Sequence, residues 1–183
     1  MSRRLNSRDL IIDAAEAIVA EVGAAHLTLD AVAAKAQISK GGLMYHFPNK
    51  DHLLRAMVAR LIDRFNRMRS KAQARVGDKP AAMLKAHVTT TLSQPRVSRL
   101  AAAILAAAAN EPKLLKPMRD YYSKRFEQFE EAGLRIEDVA VVMLATTGLS
   151  MFEQLRISPF NGKQRRRIIE KLMSLIEKSL IKK

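Results

Sequence analysis

Apolar residues recur at three- and four-residue spacing along most of the chain, and polar breaks separate the runs. Leu10, Ile11, Ala14, Ala15, Ile18, Val19 and Val22 predict a first amphipathic helix, opened by Ser7 and stopped at Gly23. Thr28 caps a second, with Asp30 in its first turn and Leu29, Val32 and Ala33 inward. Gln37-Ile38 forms a tight turn, and Ser39 caps a third, brief helix. Pro48 ends it, because a proline holds Phe47 extended. Asn49 caps a long fourth helix with Leu53, Leu54, Met57, Val58, Leu61, Ile62, Phe65 and Met68 on its apolar face. Arg55, Arg60, Arg64, Arg67, Arg69, Lys71 and Arg75 occupy its other sides, and the distal arginines read as a solvated face.

Gly77-Asp78-Lys79-Pro80 marks a boundary, with Asp78 as cap and Pro80 in the first turn of the next helix. Breaks at Ser93-Gln94-Pro95 and Asn110-Glu111-Pro112 frame an alanine-rich segment, Val97 to Ala109, expected to be a buried central helix. Helices follow over Lys113–Ala132, Ile136–Leu155 and about Lys163–Leu180. No stretch alternates as a strand does. The expected fold is all-α with about nine helices: a three-helix domain over 5–65, then a helical bundle over 78–183.

The stretch Thr28–Lys50 has the layout of a helix-turn-helix. A short helix with an exposed N-terminus fits the major groove, where its first residues reach base edges. Gly41 and Gly42 remove bulk there, and Lys40 and Lys50 bracket the helix as phosphate contacts. Tyr45 and His46 carry polar tips on flat bodies, and Met44 can touch a thymine methyl. The candidate DNA contacts are Thr28, Ser39, Lys40, Gly41, Gly42, Met44, Tyr45, His46 and Lys50. Arg3 and Arg4 form a basic arm suited to phosphate or the minor groove.

The run S-K-G-G-L-M-Y-H-F-P-N-K-D-H-L-L resembles the signature of TetR-type transcriptional regulators, and the likeness extends from Ser7 to about Leu61. By that resemblance, Lys40 and Gly41 open the recognition helix, Tyr45 and His46 lie at the DNA, and Lys50 contacts phosphate. Two positions depart from the pattern. Gln37 stands where the family usually has glycine, so a left-handed backbone there carries strain. Gly42 stands where threonine or serine is common.

Composition narrows the function classes. The net charge is +14 and suggests an anionic partner. Residues 1–76 hold 13 Lys and Arg against 7 Asp and Glu, so +6 lies there and +8 in the remainder. Charge alone therefore does not single out the N-terminal part. There is no cysteine, and no apolar run is long enough for a bilayer, which fits a cytoplasmic protein without a membrane partner. His26, His46, His52 and His87 lack metal-ligand spacing, and no Gly-rich phosphate loop or nucleophile arrangement occurs. The expectation is a non-enzyme with no cofactor and no metal.

The resemblance further implies a one-component repressor, a small-molecule effector and a homodimer formed through the last two helices on a palindromic operator. Thr146, Thr147, Gly148 and Ser150 are small enough for close helix crossing. An effector pocket is expected among the middle helices, lined by some of Met83, His87, Met118, Tyr122, Phe126, Met143, Thr147 and Met151. The competing reading is a helical ligand-binding or scaffolding protein that binds nucleic acid only non-specifically.

Overall fold

The computed structural model describes residues 6–77, 79–108 and 111–178. They form nine α-helices and no strand among the described residues: α1 (Ser7–Val22), α2 (Leu29–Ala36), α3 (Lys40–His46), α4 (Lys50–Val76), α5 (Pro80–Ser93), α6 (Pro95–Ala108), α7 (Lys116–Glu131), α8 (Ile136–Gln154) and α9 (Gly162–Lys178). Short 3-10 turns cover Ala24–His26 and Pro112–Leu115. The all-α expectation holds. No helix of the described residues is long and apolar enough to cross a membrane.

Local capping explains where the N-terminal helices begin. The hydroxyl of Thr28 accepts from the Ala31 N–H at 3.1 Å, and that of Ser39 from the Gly42 N–H at 3.0 Å. Asn49 Oδ1 accepts from the His52 N–H at 3.0 Å. Each bond satisfies a donor that the first helical turn leaves free. The cap of α1 is Asn6, not Ser7: its side chain accepts from the Arg8 N–H, and Ser7 is already helical. The cap of α5 is Lys79, without a side-chain bond, and Pro80 takes the first helical position, where a missing N–H costs little. The proposed cap Asp78, the Arg3–Arg4 arm and Leu180 lie outside the described residues.

Two compact units arise, and they interleave along the chain. One takes residues through Ile62 together with Arg99–Arg119; the other takes Asp63–Ser98 and the chain from Asp120 onward. The division falls inside α4 and again inside α6 and α7, whereas composition suggests a single break near Gly77. A continuous helix gives no local sign of which neighbours its successive turns will meet.

The first unit buries Ile11, Ile12, Val19, Leu27, Val32, Leu43, Phe47, Leu53, Met57 and Leu61. Leu10 and Val22, expected inside, are exposed, and Ile12 takes the inward place instead. Arg60 on α4 binds Asp13 and reaches the Asp9 carbonyl of α1. It is therefore not a solvated arginine. α6 is not buried all round: Ala101, Ile104 and Ala108 point inward, while Ala102 and Ala106 are exposed. The second unit packs Leu84 and Val88 of α5, Phe129 of α7, Val139 and Val142 of α8 and Ile176 of α9 into one core. Arg165 of α9 clasps Glu153 of α8 at 2.5 Å, and Lys85 of α5 meets Glu177 of α9 at 3.0 Å.

The turn after α2 confirms the strain read from the sequence. Gln37 has φ 56° and ψ 43°, and its N–H returns to the carbonyls of Ala33 and Ala34. A side chain in this conformation costs about 1–2 kcal/mol, part of which glycine recovers after its larger unfolded-state entropy is counted. Gln37→Gly should therefore stabilise the protein by about 0.5–1 kcal/mol, read as a higher denaturation midpoint with an unchanged denaturant slope.

Candidate nucleic-acid interface

The short helix α3 is held by one residue and presents the next two. Leu43 is fully buried, Met44 is 44% exposed and Tyr45 is 85% exposed. An exposed methionine beside a nearly bare tyrosine is available for another surface. The Tyr45 ring meets the edge of His46 at 5.2 Å, which fixes the relative tilt of the two rings. Phe47 is buried under the guanidinium of Arg8, 5.3 Å from the ring centre, and so ties the end of α3 to α1.

The N-terminus of α3 carries the approach side. Gly41 faces open space, so nothing but backbone stands at that point. A Cβ on Gly42 would lie 3.2 Å from the Ser39 Oγ, so this glycine also leaves room for the cap. Thr28 and Ser39 are exposed and already accept backbone N–H bonds; each hydroxyl proton remains able to donate to a phosphate oxygen. Lys40 pairs with Asp30 at 2.8 Å, with both side chains largely exposed. Such a pair is worth about 1 kcal/mol or less, so the ammonium can exchange its carboxylate for a phosphate. Lys50 lies exposed in the first turn of α4. All nine residues proposed for DNA thus belong to the first unit, on α2, α3, their caps and the start of α4.

The residues proposed for a pocket divide. His87, Met143, Met83, Tyr122 and Phe126 lie in or against the second unit's core. Met118 is buried but belongs to the first unit. Thr147 and Met151 lie on the outward stripe of α8 with Val141 and Leu144, so they do not face that core.

Around His87 stands a group that sequence reading missed. Arg69 of α4 is only 6% exposed, contrary to its expected place on a solvated face. Its guanidinium lies over Phe65 at 5.4 Å and over Tyr121 at 5.1 Å. Arg125 of α7 lies over Phe129 at 4.8 Å. The signal was present: Arg69 follows Leu61 and Phe65 at four-residue steps, and Arg125 stands midway between Tyr121 and Phe129. Burial, then the charge of Arg125, lowers the Arg69 pKa to about 10, so it stays cationic near neutral pH. Burial, then Arg69 and Arg125, pushes His87 down to about 3, so its imidazole is neutral.

Comparison with known proteins agrees with this layout. Residues 11–57 match the bacterial regulatory proteins of the tetR family, and residues 81–177 match the tetracyclin repressor-like C-terminal domain. The chain belongs to the TetR family. It is therefore a DNA-binding transcriptional regulator, in a family of regulators rather than enzymes. The chain is 26% identical over 172 residues to the HTH-type transcriptional regulator BetI of Stenotrophomonas maltophilia (strain R551-3), covering 88% of each. Its fold is similar to a transcriptional regulator from Rhodococcus sp. Rha1, with TM-score 0.77, 21% identity and 96% of each chain covered. It is also similar to the multidrug binding protein EbrR complexed with ethidium, with TM-score 0.67 and 23% identity, covering 91% of this chain and 98% of that one. In this TetR-family protein the first match falls on the helix-turn-helix and the second on α5 to α9.

Proposed function

We propose that this TetR-family protein is a one-component repressor that binds a palindromic operator as a homodimer and releases it when a small molecule binds the second unit. The observation that carries the DNA half is α3, with Leu43 buried and Met44, Tyr45 and the bare Gly41 presented outward. The repressor sign draws support from the tetracyclin repressor-like match, and the effector from EbrR, whose structure holds ethidium. A protein acting on the chromosome works in the cytoplasm. Homodimer formation is favoured by the outward apolar stripe of α8, on which Leu144 is 72% exposed and Met151 54% exposed. Two copies related by a two-fold then meet half-sites one helical turn or more apart.

A route for coupling exists in the covalent structure. Lys50 and Arg69 stand on the same continuous helix, α4, one beside the DNA contacts and one in the second unit. An effector that favours the released state by about 3 kcal/mol lowers operator affinity about 100-fold. The test begins with fragments selected from genomic DNA by the purified protein, which should share a dyad-symmetric site. On such a fragment, Tyr45→Phe and Lys50→Ala should each weaken binding, and Lys50→Ala should lower the slope of log affinity against log salt by about one. Unchanged binding by both variants would remove this docking geometry.

A further inference from the structure

We propose that the second unit binds an amphipathic organic anion, with its acidic head held by Arg69 and Arg125 and its apolar body against the neighbouring core. The inference rests on the effector reading above and names the chemistry of the molecule that fits.

Arg69 is buried and Arg125 half-buried, and both are in an unusual state for arginines so placed. Neither has a carboxylate within ion-pair distance among the described residues. Buried charges are ordinarily paired, because leaving water without a counter-charge is expensive. Here the aromatic faces of Phe65, Tyr121 and Phe129 partly offset that cost, since a ring face attracts a cation. Rings satisfy the flat side of a guanidinium and leave its edge; on Arg125 that edge is met in part, since Nη1 donates to Gln128 Oε1 at 3.0 Å. Nε and Nη1 of Arg69 and Nε of Arg125 are buried without an acceptor. The edge of the fork is the part that matches a carboxylate, through two parallel N–H···O bonds.

Two other side chains in the cluster have orphaned polar atoms. The Tyr121 hydroxyl and both ring nitrogens of His87 are buried and unpartnered. A neutral imidazole and a phenol each supply one donor and one acceptor, so with the three unpartnered guanidinium nitrogens the cluster offers an excess of donors and two positive charges. The arginines depress His87 because they act on it electrostatically, which places the three groups in one field. A cationic ligand would bring a third positive charge into that field. A neutral one would leave both charges uncompensated. An anion answers both, and Phe129, under Arg125, belongs to the same core as Phe126 and Met143, which give its body an apolar surface.

The proposal is tested with full-length protein and a matched pair of fluorescent probes. 1-Anilinonaphthalene-8-sulfonate is an amphipathic anion, and N-phenyl-1-naphthylamine is the same body without the acidic group. Wild-type protein should bind the anion saturably and about tenfold or more tighter than the neutral probe, and octanoate should displace it while octanamide does not. Arg69→Met and Arg125→Met should each weaken the anion by about 10- to 100-fold and change the neutral probe by less than about twofold. Arg69→Lys, which keeps the charge but loses the fork, should also weaken it and serves if the methionine variants do not fold. Equal affinity for the two probes, no displacement by octanoate, or unchanged anion binding in these variants would overturn the proposal. Adding operator DNA separates the two readings. Arginine-dependent anion binding that leaves DNA affinity unchanged upholds the site and removes the effector role; an effector that acts without either arginine does the reverse.

Discussion

Lowering the pH from 6 to 4 should destabilise the wild-type protein by about 2–3 kcal/mol relative to its His87→Leu variant, some tens of fold to a hundredfold in the folded-to-unfolded ratio. His87 is 2% exposed, and neither ring nitrogen has a partner. Burial is the main reason its pKa falls from 6.5 to about 3, and the cations Arg69 of α4 and Arg125 of α7 add to it. The folded state therefore binds fewer protons than the unfolded chain between those two values. Stability from this site is fully present above pH 6.5 and is lost progressively as the pH falls toward 3, at about 1.4 kcal/mol per pH unit within the window. Carboxylates titrate over the same range, but they do so in both proteins and cancel in the difference. Denaturant unfolding of the pair at pH 7, 6, 5 and 4 measures it. Parallel curves would mean that the imidazole is hydrated or paired in the folded protein.

Leu144→Glu combined with Phe152→Glu should convert a dimer to a monomer and cut operator affinity about 10²–10⁴-fold, with little change in the melting of the monomer. The physical basis is a stripe on α8 that its own chain leaves uncovered. Val141, Leu144, Met151, Phe152 and Leu155 are between 40% and 72% exposed and fall at helical spacing. Beside Gly148 on the same helix, open space surrounds the position a Cβ would take. An open groove of about 540 Å³ on α9, bordered by Phe160, Ile168 and Leu172 with Arg167 and Lys171, adds a second uncovered surface. Exposed apolar surface of this kind suits the association proposed above. In a two-fold contact each substitution acts twice, placing like charges in a desolvated patch. Once the copies separate, each half-site must be bound alone, and the gain from linking two binding events disappears. Analytical ultracentrifugation at micromolar concentration reads the first effect and operator titration the second. A wild-type protein that sediments as a monomer would contradict the assembly.

The parts of this molecule that could be read from the sequence are those governed by neighbours a few residues apart. The caps Thr28, Ser39 and Asn49 act over three residues, and Pro48 acts on the residue before it, so the helix-turn-helix was legible with its left-handed Gln37. A one-residue error at Asn6 and Ser7 is a choice between two adjacent capping side chains. Periodicity failed where the face was wide: Leu10 and Ile12 are both compatible with an inward stripe on α1, and only packing against other helices selects Ile12. The alanines of α6 gave no preferred face, so its half-exposed state could not be deduced. Arg69 and Arg125 were hidden by a sound prior, that long charged side chains reach solvent. Their spacing relative to Phe65, Tyr121 and Phe129 indicated the opposite. The interleaving of the two units rests on contacts between segments far apart in sequence, on which local patterns are silent.

On this reading the exposed face of α3 recognises a particular DNA sequence rather than polyanions in general, as the net charge of +14 alone would allow. The most direct measurement is competition at physiological salt between a fragment selected by the purified protein and a random duplex of equal length. A preference of about 10³-fold or more for the selected fragment is expected. Equal affinities, falling together as salt is raised, would contradict it and identify the protein as a general polyanion binder.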